Sequence, residues 1–351
     1  MENGKGMIPH SRVHSEEDDF ARIQDVLQKG QWAQGERVQA LERDMAAFIG
    51  VGHGAAVSSG TAALHLSLLS LGIGPGTEVI IPSYVCTALL NAVHYVGATP
   101  VVVDIEEETF NIDARDVERV LSDRTGAIIA PHMFGLPADM DALLSLGIPV
   151  MEDCAQSIGA GFEGRLTGAL GTLAVFSLYA TKMLGAGEGG LILSDRADLI
   201  EKARDLRDYD EKADYVVRYN YKLTDLVAAL AEGRLGRLPA YIKRRREIAD
   251  IYNSGLKDCP ITLPRVPEGR EHIYYRYVVL VEDAEGFMAE MAEKGIECRR
   301  PVFNPLHRYL ERSGYPMTEA VWSKAVSLPL YPSLSDEEAG RVVEAVKGQY
   351  V

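Results

Sequence analysis

Ala174-Val175-Phe176-Ser177-Leu178-Tyr179-Ala180-Thr181-Lys182-Met183-Leu184, followed by the glycine-rich turn Gly185–Gly190, decides the reading of this chain. Its first five residues are mostly apolar and lack a polar face, the pattern of a strand buried on both sides. A lysine placed after such a strand and before glycines is poorly suited to be an ordinary surface residue. Burial near apolar or cationic groups lowers a lysine's pKa and makes its amine a usable nucleophile and base. The glycines, interrupted only by Ala186 and Glu188, let the backbone pass close to a bound group. Taken alone, an exposed loop lysine is the competing reading.

Six more runs of similar character surround it: Gly54–Val57, Glu78–Ile81, Pro100–Ile105, Gly126–Pro131, Pro149–Glu152 and Gly190–Leu193. Helical stretches lie between them. Thr61–Leu71 is apolar nearly all round and reads as a buried helix, while Asp113–Leu121 and Asp139–Leu146 begin on aspartates that can cap a helix. The fold class is therefore α/β, with a mostly parallel seven-stranded sheet between helices. After Arg218 the pattern changes. Thr224–Leu238 and Ala240–Leu256 read as two helices, the second carrying Lys243-Arg244-Arg245-Arg246 as a solvated face. His272–Val281 and Glu297–Val302 are strand-like, and Ala284–Lys294 and Ser335–Gln349 helical. A boundary near Leu238-Pro239 then separates a large domain, residues 1–238, from a smaller C-terminal α+β domain, residues 239–351.

The chain has 351 residues, 47% of them hydrophobic, and a formal net charge of −15. Such a balance argues against a nucleic-acid partner, which calls for a basic stripe. Met1–Ser15 is polar, so no signal peptide is expected, and no apolar run approaches the roughly 20 residues of a membrane span. Cys86, Cys154, Cys259 and Cys298 are scattered without metal-site spacing, which fits reduced thiols and a cytoplasmic setting.

Two further stretches carry chemistry. In Val57-Ser58-Ser59-Gly60-Thr61-Ala62 a strand gives way at once to a helix. Helix N-termini present free N–H groups and a favourable dipole to a phosphate, although Ser-Gly-Thr is equally a plain cap. In Val150-Met151-Glu152-Asp153-Cys154-Ala155-Gln156 acidic residues end an apolar strand, where α/β sheets place ligand contacts. A lone carboxylate there is more often a cap or an ion-pair member. Together the three signals are far more specific. Pyridoxal phosphate (PLP) needs that set: an anion site, a carboxylate for its ring nitrogen and a lysine for a Schiff base.

At this point the sequence resembles the DegT/DnrJ/StrS aminotransferases, of aspartate-aminotransferase fold type I, nearly from end to end. The resemblance runs through Gly30-Gln31-Trp32, Ser58–Leu66, Gly72–Ser83, Gly97–Asp104, Leu136–Asp141, Glu152–Ala160, Phe176–Gly190, Tyr219–Leu230 and Arg300–His307. It implies that Lys182 is the Schiff-base lysine, Asp153 the partner of the pyridine nitrogen, and Gln156 the glutamine near the ring oxygen. Gly60, Thr61 and Ser177 would hold the phosphate. Asn220 would reach the phosphate of a partner subunit, making the unit a homodimer with shared active sites. The implied reaction moves an amino group from an amino acid, glutamate first among donors, to a keto-sugar attached to a nucleotide; other members act on cyclitols or aminohydroxybenzoate-type rings.

Three departures stand out. Cys86, in Pro82-Ser83-Tyr84-Val85-Cys86-Thr87, occupies the place of the aromatic residue that stacks on the ring, leaving Cys86 or Tyr84 to cover that face. Lys222 replaces a frequent arginine, and Gly168–Thr172 lacks an aspartate often seen there. His132 and His307 are further candidates for the substrate side, each with a structural hydrogen-bonding role as the alternative. Against a sugar deoxygenase stands Lys182, since histidine replaces the lysine in that branch. A regulatory protein that keeps the fold without turnover is disfavoured by the intact Asp153, Gln156 and Lys182. A nicotinamide enzyme is disfavoured because no GxGxxG follows the first strand.

Overall fold

The computed structural model describes residues 6–350. Its seven-stranded sheet is built from β1 (His53–Val57), β2 (Glu78–Pro82), β3 (Thr99–Val103), β4 (Thr125–Pro131), β5 (Val150–Asp153), β6 (Leu173–Ser177) and β7 (Gly190–Ser194). The spatial order is β1-β7-β6-β5-β4-β2-β3. β7 runs antiparallel to both its neighbours, and every other pair is parallel. These strands are the seven expected runs, with ends moved by one or two residues. Alternate side chains enter different cores: Val79, Ile81 and Ile129 pack on one face, Ile80, Ile128 and Ala130 on the other. Double burial explains why the runs lack a polar face.

The helices α1 (Glu17–Lys29) and α2 (Glu36–Ile49) precede the sheet. α3 (Gly60–Ser70) follows β1, with Ala62–Leu68 all buried, as its composition requires. α4 (Ala88–Tyr95), α5 (Ala114–Val120) and α6 (Met140–Ser145) connect the strands, and α7 (Ala197–Leu206) follows β7. Asp113 and Asp139 cap α5 and α6 by accepting from Arg115 N and Ala142 N.

The C-terminal half departs from expectation in four places. The two helices expected around Pro239 are one, α8 (Asp225–Leu256), 32 residues long. Proline inside a helix removes a hydrogen bond and crowds the preceding turn, at a cost of about 3 kcal/mol. Here packing on both sides outweighs it: Ala228, Ala231 and Leu238 sit in the core behind β6 and β7, whereas Ile248, Ala249, Tyr252 and Leu256 belong to the C-terminal core. The expected boundary at residue 238 thus falls where α8 passes from one core to the other. Lys243–Arg246 is only partly a solvated face, because Arg245 is buried and donates to the carbonyls of Tyr274, Tyr275 and Leu330. The strand expected over His272–Val281 is interrupted: it forms only at β8 (Tyr277–Leu280), since Tyr274 takes a left-handed φ of 50°. Glu297–Val302 contributes one isolated bridge, Arg299 to Ser327, rather than a strand.

β8 pairs antiparallel with β9 (Ala325–Leu328), packed under α9 (Ala284–Glu293) and α11 (Asp336–Lys347), with α10 (Pro316–Lys324) leading into β9. Ile8 is fully buried in this C-terminal core and bridges Ile296, so the N-terminal segment crosses over to it. Among the described residues no helix is long and apolar enough to cross a membrane.

Candidate active site

Parallel strands put their C-terminal ends on one edge of the sheet, where α/β folds collect ligand-binding groups. Val57, Gly190 and Ser177 lie side by side there in register, and Asp153 closes β5 beside Val175. The Ser59 hydroxyl caps α3 by accepting from Ala62 N at 3.0 Å, leaving the N–H groups at the start of an 11-residue helix facing the edge. Gly60 keeps this approach close: a Cβ would stand 3.1 Å from that of Ser177, which would have to give by a few tenths of an ångström. The next segment of the site is pinned to this turn, because Ser58 N donates to Tyr221 O at 2.8 Å and Val57 bridges Lys222. Asn220, whose chain neighbours Tyr219 and Tyr221 stack ring on ring, is exposed.

Asp153 accepts from Ala155 N at 3.0 Å and, among the described residues, has no cation within ion-pair distance. Burial pushes its carboxyl above the usual range, partly offset by the Ala155 N–H and the positive charge of Lys182. Lys182 is held by a tight turn in which its N–H reaches Tyr179 O and its carbonyl takes Gly185 N–H, at 2.8 and 2.9 Å. The lysine amine stands 4.9 Å from the centre of the Tyr275 ring. Burial by itself would raise the Tyr275 phenol, but Lys182, Arg276, a bond from Thr181 and Arg245 pull it down to about 8. Cys86 lies where Asp153 and Lys182 both act on it. Its surface is open to solvent, yet protein crowds it on most sides, and that desolvation raises the thiol.

A sequence profile of this architecture decides the lineage, matching residues 13–347. The chain belongs to the DegT/DnrJ/EryC1/StrS aminotransferase family. Among its relatives, the pleiotropic regulatory protein of Geobacillus stearothermophilus is 34% identical, over 93% of each chain. The UDP-N-acetyl-3-dehydro-α-D-glucosamine 3-aminotransferase of Acidithiobacillus ferrooxidans is 33% identical, over 93% of this chain and 92% of that one. DesV of S. venezuelae, solved in complex with a ketimine intermediate, superimposes with a TM-score of 0.92 at 33% identity, covering 97% and 98% of the two chains. The chain is thus an aminotransferase of fold type I.

The residues present fit PLP, the cofactor of this family. Free N–H groups on α3 with the Ser177 hydroxyl suit a phosphate, the carboxylate of Asp153 suits a ring nitrogen, and Lys182 brings an amine. Gln156 uses its Oε1 to accept from Phe134 N at 3.0 Å, which fixes its side chain. That bond also holds Phe134 in a left-handed conformation, φ 59°.

The other candidates are engaged elsewhere. His132 is buried and both ring nitrogens are used: Nδ1 accepts from Ala138 N at 3.0 Å, so Nε2 donates to Glu152 at 2.9 Å. Glu152 also accepts from the backbone N–H groups of Gly168, Leu170 and Gly171. The glycine loop without its expected aspartate is therefore organised from β5. His132, Glu152 and Cys154 lie close enough for a metal, but four donors already occupy the carboxylate. His307 is buried, bonded to Ser83 at 2.6 Å and Glu319 at 2.7 Å, and stacked on Tyr315. Tyr84 is fully buried against Phe110 and Phe134, so its ring belongs to the core. Lys222 spends its charge on Asp208 and Asp210, at 2.8 and 2.9 Å. Sequence reasoning missed Tyr275, whose position over the lysine arises only from tertiary packing.

Proposed function

We propose that this aminotransferase uses PLP on Lys182 to move an amino group from an amino acid to a keto-sugar linked to a nucleotide. The observation that carries the reading is that the charge of Lys182 acts on Asp153, and both act on Cys86, at the sheet edge where α3 begins. The UDP-sugar in the name of the Acidithiobacillus relative supports the acceptor class. When bound, PLP supplies an electron sink next to the carbon that gains or loses the amine. The α3 N–H groups at Gly60 and Thr61, with the Ser177 hydroxyl, hold its phosphate. Asp153 holds a proton on the ring nitrogen, and a cationic nitrogen beside it reverses the upward push of burial on that carboxyl. The Lys182 amine, once released, moves a proton at the substrate carbon. Cys86 would stand against a face of the bound ring, and Gln156 would serve its ring oxygen. Asn220, exposed and without a partner in the described chain, completes the phosphate site of a second copy.

The test is spectroscopic. Purified protein with PLP should show a visible band that borohydride abolishes and that Lys182→Ala lacks; a colourless wild type sinks the reading. Loss of the band on adding glutamate, with restoration by a nucleotide-linked keto-sugar, supports the full reaction. The Geobacillus relative is named as a regulator. A persistent band with every amino donor would favour that second reading.

A further inference from the structure

A cavity of about 310 Å³ opens beside Lys182, enclosed by the N-terminal loop around Arg12, the middle of α8 and the loop at Tyr331. Its polar lining is unbalanced. Arg244 is paired with Asp336 at 2.7 Å and Glu247 at 3.3 Å, and Glu16 is taken by Tyr241 at 2.8 Å and Arg237 at 3.5 Å. Arg12 and Arg245 are different. Among the described residues neither has a carboxylate within ion-pair distance. Arg12 lies over the Tyr331 ring at 5.2 Å, and Arg245 is 6% exposed with only main-chain carbonyls as partners. Arg245 Nε and the hydroxyl of Tyr331, itself 1% exposed, are buried without any hydrogen-bond partner.

A buried guanidinium without a counter-ion is costly unless an anion completes it. Burial draws Arg245 down to about 10, so it remains charged at neutral pH. In a chain of net charge −15 carboxylates are plentiful, yet none is placed on these two arginines. The location is informative as well. Arg245 and Lys182 stand over the same Tyr275 ring, 6.0 and 4.9 Å from its centre. An anion bound by Arg245 is therefore within a small molecule's length of the reacting amine.

We propose that Arg12, Arg245 and the Tyr331 hydroxyl form an oxyanion subsite for the substrate that reacts at Lys182. The inference rests on the reading of Lys182 given above. An oxyanion there has two sources, the carboxylate of the amino donor or the diphosphate of the nucleotide-linked acceptor. Planar guanidinium groups bind both in bidentate fashion.

The experiment is calorimetric titration of the PLP-loaded protein with glutarate and, separately, with inorganic pyrophosphate. The variants are Arg12→Gln and Tyr331→Phe, the second retaining the ring under Arg12. Each should weaken at least one probe about tenfold or more, with the visible band and thermal midpoint unchanged. Weakening of glutarate alone assigns the donor carboxylate; weakening of pyrophosphate alone assigns the diphosphate. Wild-type affinity for both probes in both variants overturns the subsite. If the wild type takes up no PLP, the cofactor reading fails instead, and the same titrations on the protein alone still decide the subsite.

Discussion

Gly60 and Ser177 meet at the edge of the sheet: a Cβ on Gly60 would stand 3.1 Å from the Ser177 Cβ and 3.4 Å from its Oγ. The contact joins the first helical turn of α3 to the end of β6, and it leaves the helix N–H groups open to an anion. Gly60→Ala tests this. At the first position of α3 the crowding against Ser177 offsets much of alanine's helix preference, so thermal stability should change by less than about 1 kcal/mol. PLP affinity should fall about tenfold, because the methyl displaces Ser177. Spectroscopic titration with PLP reads the effect, and unchanged affinity would remove Gly60 from the phosphate site.

Cys86 offers a chemical test of the site. It is the exposed cysteine of the four, while Cys154 is buried and Cys259 and Cys298 are partly covered. Desolvation raises its thiol above the usual range, so alkylation should be slow at pH 7 and quicken steadily as the solution is made more alkaline. Peptide mapping after maleimide treatment should find Cys86 modified first. Modified protein should lose PLP uptake, and preloaded protein should be protected. Equal labelling with and without PLP would move Cys86 away from the ring.

How legible these features were follows from where their causes lie. The seven strands could be read because double burial writes itself into each run as unbroken apolar residues. Lys182, Asp153 and Gly60 could be placed because each ends or follows such a strand. α8 was split at Pro239 because the penalty of a proline is local, whereas the packing of Leu238 and Ile248 that overrides it comes from two different cores. Tyr275 sits in a segment interrupted by a left-handed Tyr274, so no periodicity aims it at the lysine. The burial of Arg245 was hidden for a similar reason. Its neighbours Lys243, Arg244 and Arg246 make the run look uniformly solvated.

Glu152 should matter for stability more than for chemistry. Its carboxylate is fully buried, and burial alone would raise its pKa. The His132 bond and the Gly168 and Gly171 N–H groups prevail and hold it below the usual range. A group depressed in the folded state stabilises above its unfolded pKa, and that contribution disappears as pH falls through the folded value. Glu152→Gln removes the charge and turns an acceptor into an amide donor facing N–H groups. The expected loss is about 3 kcal/mol, measured by urea unfolding at pH 7. A loss under about 1 kcal/mol would mean that the Gly168–Gly171 loop satisfies its donors without this carboxylate.

His272 and His10 should make the fold acid-sensitive above the range where carboxylates titrate. Burial, the largest cause for each, lowers both to about 3. In His272 the Nδ1 accepts from Tyr274 N at 2.9 Å, so the ring is locked in its neutral form beside the left-handed turn. His10 is held by Ser327 at 2.8 Å, with Arg276, Arg299 and Arg245 adding repulsion and Glu297 partly opposing it. In the unfolded chain a histidine takes up a proton near pH 6.5. Between roughly pH 6.5 and 3 the unfolded state therefore binds more protons, and stability falls as pH falls, by on the order of 1.4 kcal/mol per unit for each histidine. From pH 7 to 5, His272 alone should contribute a loss of about 2 kcal/mol. His272→Asn keeps an acceptor for Tyr274 N but cannot titrate, so it should be less stable at pH 7 and show a flatter pH profile. Urea unfolding at pH 7, 6 and 5, at one protein concentration, reads both effects. If wild type and variant lose stability in parallel over that range, the imidazole is protonated in the fold and the neutral, locked ring is wrong.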